Sequence, residues 1–222
     1  MNSLAFLDVD PSILKTEERI IVAAIKVFAD YPLQVATVRM IAQEAQINFS
    51  SITYHFKTKE NLYQEVLRRF LNNVVQLLPS PDELAVQPLT PELARKELLA
   101  FVGQATDLMY GNSHTATFAK IILREHFSPS PFYEMLYKEF FSKVITWITA
   151  RVCCLINVPE NVDKEREATL ITFSIIGQIL GFRVGREMLI RRLGFTGFST
   201  EEIAELKELL MRNILRQLGL PS

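Results

Sequence analysis

Apolar positions along this chain recur at three- and four-residue spacing and nowhere alternate convincingly, a pattern that predicts helices and no sheet. Ile20, Ala24, Val27 and Phe28 form the inward stripe of a first helix. It starts near Ser12 or Thr16 and runs to about Asp30, and Pro32 stops it. Val38, Ile41, Ala42 and Ala45 make one face of a second helix of about two turns, with Thr37 placed as its N-cap. Asn48 is placed to cap a third, in which Ile52 and Phe56 share a face while Phe49, Ser50, Thr53 and Tyr54 fall largely on others. From a Thr58 cap, Leu62, Val66, Phe70 and Val74 align on a longer helix that ends before Pro79, a rod of roughly 30 Å at 1.5 Å per residue.

Pro79, Pro81, Pro88 and Pro91 lie too close together for a continuous helix, so this stretch is expected to be a surface loop. Helical patterns then cover 91–110, 115–125, 131–156 and 163–192, with a forced break at Ser128-Pro-Ser-Pro131 and a last helix capped by Ser199. The expected architecture is all-α with about nine helices. A three-helix head at 1–57 is joined by a connecting helix at 58–78 to a larger body at 79–222. The second and third helices stand at helix-turn-helix spacing, an arrangement that reads DNA.

Composition adds exclusions. With 222 residues, 49% of them hydrophobic, the chain is large enough to bury a full core without disulfides or metals. Met1 to Asp10 carries two aspartates and neither lysine nor arginine, so no export signal is expected there. The apolar run from Leu170 to Phe182 is shorter than the roughly 20 residues a bilayer needs, and it is expected to be a buried helix of a cytoplasmic protein without membrane contact. The two cysteines, Cys153 and Cys154, are adjacent, poor partners for a disulfide, and have no second Cys or His group at zinc spacing. No metal or cofactor is expected. With three histidines and no HExxH, nucleophile elbow, phosphate loop or dinucleotide fingerprint, the chain is not expected to be an enzyme.

Charge complicates the DNA reading. From Met1 to Tyr63 six cations (Lys15, Arg19, Lys26, Arg39, Lys57, Lys59) face seven carboxylates, and the whole chain is at −1. Phosphate neutralisation supplies much of the affinity for DNA, so one copy of this head should bind weakly, and two held at fixed spacing should bind far better. A route to pairing lies in Gly177, Gly181 and Gly185, which repeat at i+4. Each mid-helix glycine costs about 1 kcal/mol relative to alanine, so three on one stripe suggest close approach of another backbone, from this chain or from a second one. With Leu206, Leu210 and Ile214 of the last helix, they form the expected dimer interface.

The segment from Thr16 to Leu62 resembles the DNA-binding domain of the TetR/AcrR family of bacterial repressors. The residues that carry the resemblance are Glu18-Arg19-Ile20, Ala23-Ala24, Phe28-Ala29, Thr37-Val38-Arg39, Ile41-Ala42, Ala45, Tyr54-His55-Phe56, Lys59 and Leu62. Pro32 and Gln46 depart from it, each standing where the family commonly has glycine, so Gln46 is expected to carry a positive φ or the turn to differ. The stretches LREHFSPSPFYEMLYKEF and IIGQILGFRVGREMLIRRLG resemble the C-terminal domain of the CecR-like branch. The resemblance implies a homodimer that binds a palindromic double-stranded operator and is released by a small hydrophobic or amphipathic effector.

By resemblance and helix geometry together, Phe49, Ser50, Ser51 and Thr53 would face the major groove, while Thr37, Arg39, Tyr54, His55 and Lys59 would hold the phosphate backbone. In the body, Gln104, His114, Phe118, Arg124, Tyr137, Trp147 and Gln178 are the candidate effector contacts; the aromatic ones more often read as core at helical spacing, and the polar ones also read as mutual hydrogen-bond partners. A competing reading keeps DNA binding but gives control to a protein partner, or to none, with the body serving only to dimerise.

Overall fold

The computed structural model describes residues 13–74, 88–111 and 114–221, with side chains for 13–72, 88–111 and 117–221. In chain order its helices are α1 (Thr16–Asp30), α2 (Val38–Ala45), α3 (Phe49–Phe56), α4 (Lys59–Val74), α5 (Pro91–Tyr110), α6 (His114–Phe127), α7 (Tyr133–Leu136), α8 (Ser142–Leu155), α9 (Lys164–Val184), α10 (Arg186–Leu193) and α11 (Thr200–Gln217). A π turn at Tyr137–Phe141 joins α7 to α8, and no strand occurs among the described residues. Two compact units are formed: Met1–Gln76 with Ser113–Phe140, and Leu77–Asn112 with Phe141–Ser222.

In the first unit α1 is the hub, packing on α2, α3, α4 and α6. Ile20, Ile21, Ala24, Ile25 and Phe28 are fully or almost fully buried, so this helix is apolar on more than one side. The expected caps form. Thr37 Oγ1 accepts from Met40 N–H at 3.2 Å, Asn48 Oδ1 from Ser50 N–H at 3.0 Å, and Thr58 Oγ1 from Asn61 N–H at 3.1 Å. Gln46 takes the left-handed conformation (φ 53°, ψ 48°) at the end of α2, as its place in the turn requires. An L side chain is strained there and glycine is not. Gln46→Gly is therefore expected to raise stability by about 0.5 kcal/mol, the relieved strain exceeding the added freedom of the unfolded chain. An unchanged or lowered urea midpoint would contradict this.

Lys57 is the other non-glycine residue with positive φ among those described, at φ 64° and ψ −57°. Thr58 N–H donates to Phe56 O at 2.7 Å, closing a three-residue turn of a rare and strained kind. The chain thus passes from α3 to α4 through two residues, Lys57 and Thr58, leaving Lys57 exposed.

In the second unit α8 packs against α5 and α9, and α11 lies on α5. Leu98, Val102, Ile148, Val152, Ile175, Leu210 and Ile214 fill its core. Polar ties join the helices: Thr149 to Thr172 through their hydroxyls at 3.1 Å, Tyr110 Oη to Ile179 O, and Arg95 to Pro221 O at 2.9 Å.

Four expectations about the body are corrected. The pattern over 131–156 is not one helix, because the π turn offsets everything after it from the face a regular 3.6-residue repeat would assign. The pattern over 163–192 breaks at Gly185 (φ −82°, ψ 7°), which ends α9 and begins α10. The apolar run in α9 is buried on one face only: Thr172, Ile175 and Ile179 are buried while Leu170 and Phe173 are each more than half exposed, and the helix is long and apolar enough, by length and composition, to cross a membrane. Leu206, Leu210 and Ile214 are buried in the chain's own core, so the apolar face of α11 is already covered, by α5 among others.

Candidate nucleic-acid interface

The outer face of α3 carries Phe49, 56% exposed, and Tyr54, 84% exposed, together with exposed Ser50 and Thr53 and half-buried Ser51. Ile52 and Phe56 anchor the opposite face in the core, which fixes the rotation of the helix about its axis. An exposed aromatic ring gains nothing from water, so two of them beside three hydroxyls on one short helix make a surface shaped for a partner with both apolar and hydrogen-bonding edges. Base edges in the major groove have that mixture. His55 is exposed and meets Tyr54 edge-on, ring centroids 5.2 Å apart.

Internal clamps hold this surface. Arg19 Nη2 on α1 donates to Ala45 O at 2.7 Å and to Gln46 O at 3.4 Å, tying down the turn between α2 and α3. Lys26 pairs with Glu44 at 2.9 Å. Lys59 Nζ donates to Leu33 O at 2.6 Å and Ala36 O at 2.9 Å, fastening the start of α4 to the loop before α2. Two of the three ammonium protons of Lys59, expected to face DNA phosphates, are thus held by backbone carbonyls of the head. Thr37 is likewise engaged as a cap. Arg39 and Lys57 are exposed, and neither is paired with a carboxylate among the described residues.

A second anchoring system, which sequence reasoning missed, joins α6 to α1 and α4. Arg124 donates through Nη1 to Phe28 O at 2.6 Å and through Nη2 to Ala29 O at 2.8 Å, satisfying carbonyls at the end of α1 that have no partner within that helix. Glu125, only 2% exposed, accepts from Tyr63 Oη at 2.6 Å and from Ser130 N–H at 3.0 Å. Tyr63 is itself wedged between Phe28, at 4.8 Å, and Phe132, at 5.8 Å. Burial, and then the bond to Glu125, push the Tyr63 phenol well above its ordinary pKa, so it remains a donor. The only sequence hint was a charged pair, Arg124-Glu125, on an otherwise apolar stretch.

The structure disperses the other candidate effector contacts. Phe118 is fully buried against Phe70, and Arg124 is committed to α1, so both serve the core of the first unit. Tyr137 is partly exposed on the π turn, and the side chain of His114 lies outside the described residues. In the second unit Gln104 is exposed, and Gln178 donates to Gln217 Oε1 at 3.0 Å. Trp147 is buried, packed against a tilted Phe101 and covered by Arg151. Of the glycines, a Cβ built on Gly177 or Gly181 meets nothing within 4 Å, whereas one on Gly185 would come within 3.2 Å of Gly181 O. Gly185 is thus the one of the three whose own chain leaves little room for a side chain.

Residues 20–66 match the model of bacterial regulatory proteins of the TetR family, and residues 94–219 match the C-terminal domain described for the HTH-type transcriptional dual regulator CecR. The CecR protein of Shigella flexneri is 29% identical over 192 residues, 85% of this chain and 84% of that one. The HTH-type transcriptional repressor KstR2 of Mycolicibacterium smegmatis is 49% identical over 49 residues, 22% of this chain and 24% of that protein. Among solved structures, a TetR-like transcriptional regulator from Rhodococcus sp. RHA1 has the same fold, with a TM-score of 0.61 at 16% identity over 92% of this chain and 96% of the other.

Proposed function

From the premise that this chain belongs to the TetR family, carries a C-terminal domain of the CecR type and is a DNA-binding transcriptional regulator rather than an enzyme, we propose that it is a cytoplasmic homodimeric repressor of a palindromic operator, released by a small hydrophobic or amphipathic effector. The observation that carries the reading is the exposed mixed face of α3, held rigid by Arg19 and Lys59. Phe49 packs on a thymine methyl, and Ser50, Ser51 and Thr53 meet base edges. Thr37, Arg39, Tyr54 and His55 hold phosphates, with exposed Lys57 in the place first given to Lys59.

Residues 1–57 act as the reading head, 58–78 as the connector and 79–222 as the effector-binding and dimerising body. The dimer forms on the α9 stripe Leu170, Phe173, Gly177, Gly181 and Val184, where exposed side chains at helical spacing flank glycines open enough for a second backbone. A second copy, rather than a membrane, covers it. Two heads then meet successive major grooves about 34 Å apart. Because three head cations are occupied inside the protein, binding depends on this pairing. Effector binding in the body alters the head separation. A hundredfold release requires about 2.7 kcal/mol of coupling, within the range of ordinary allostery.

Selection of duplexes from a random pool by the purified protein tests the reading, and a palindromic consensus is expected. On that consensus, Phe49→Ala is expected to lower discrimination against a thymine substitution by about 1 kcal/mol while leaving binding to random DNA unchanged. Equal losses on both would remove Phe49 from the reading set.

A further inference from the structure

Of the buried side-chain nitrogens and oxygens among the described residues, one has no hydrogen-bond partner: Nε1 of Trp147. The contrast with its neighbours is informative. Thr106, Arg151 and Thr172, the other polar side chains buried in this unit, all have partners. A buried indole N–H ordinarily finds an acceptor, since it loses its water on folding and gains nothing back if left alone. Trp147 is 7% exposed, so bulk water does not satisfy it.

The surroundings define what could. Phe101 stands 5.5 Å from the indole, centroid to centroid, with the rings tilted at 45°, and Arg151 lies over the indole with Cζ 4.0 Å from the ring centroid. Arg151 is held in place by Glu97 Oε2, at 3.0 Å from Nε and 2.8 Å from Nη2, and by Trp147 O at 3.2 Å from Nη1. The ring is thus packed while its N–H edge is left without an acceptor. We propose that Trp147 Nε1 is the anchoring donor of a small-molecule site in the body, and that its ligand bears a neutral acceptor, a carbonyl or ether oxygen. Neutrality follows from the charge count: Glu97 already balances Arg151, so the cluster has no net positive charge to offset the cost of burying a carboxylate. The identification of this site as the effector site rests on the reading of the body given above.

Trp147 is the single tryptophan of the chain, so its indole proton gives one resonance in the full-length protein labelled with 15N-tryptophan. Matched aromatic fragments differing by a carbonyl oxygen, acetophenone against ethylbenzene and benzophenone against diphenylmethane, are titrated into it. The ketones are expected to move the indole proton downfield saturably, and the hydrocarbons are not. In calorimetry, Trp147→Phe is expected to weaken the ketones about tenfold and the hydrocarbons little. No shift with either ketone, equal shifts with the hydrocarbons, or a free-protein resonance already at a hydrogen-bonded position would overturn the site. The same fragments are tested for release of the operator. A shift without release leaves the site standing and removes the effector reading, whereas release without a shift removes the site and leaves the effector reading.

Discussion

Replacing Glu125 by leucine is expected to destabilise the first unit by about 3 kcal/mol or more, the largest effect of any single substitution considered for this protein. Leucine fills a similar volume, so little of the loss comes from a cavity. What is lost is the acceptor for two buried donors, Tyr63 Oη and Ser130 N–H, and each orphaned donor costs about 1–3 kcal/mol. The carboxylate also gains from leaving the interior, as buried charges replaced by apolar groups often show, and this moderates the sum without reversing it. Tyr63→Phe removes one donor and should cost less. In the double variant the Tyr63 term vanishes, so a cycle of urea denaturations should return a coupling of about 1–2 kcal/mol. Strict additivity would mean that Tyr63 and Glu125 do not act as a pair.

Phe173→Glu is expected to weaken self-association by at least about a hundredfold and to remove operator binding with it. In a two-fold interface each residue appears twice, so one substitution places two carboxylates near the symmetry axis, desolvated and without partners. The monomer should tolerate the change, because Phe173 is 55% exposed. Sedimentation velocity across a concentration series checks the association, and far-UV circular dichroism checks that the protomer stays folded. A variant that remains dimeric at wild-type concentrations would move the interface away from the glycine-bearing face of α9. A monomer that still binds the operator at full strength would break the link between pairing and affinity that the weakly charged head demands.

The head was legible because its signals are local. Thr37, Asn48 and Thr58 cap where their spacing places them, Pro32 follows the end of α1, and Gln46 adopts the positive φ expected of a position where glycine is common. The role of Lys59 was illegible for a physical reason: its partners are carbonyls of Leu33 and Ala36, and a sequence shows no difference between a backbone oxygen that is free and one that is occupied. Arg124 and Glu125 reach residues on α1 and α4 distant in sequence, which no periodicity encodes. Leu206, Leu210 and Ile214 teach a related lesson, since an apolar stripe announces that a helix is covered and not whether the cover comes from the same chain. The glycines of α9 are the complement: there the stripe is open.

Because Arg124 and Glu125 are consecutive on α6, their side chains leave the helix about 100° apart, one gripping the end of α1 and the other the start of α4. A displacement of α6 would therefore act on the end of α1 and the start of α4 together, through bonds made in two different directions, so neither helix is tied to α6 independently of the other.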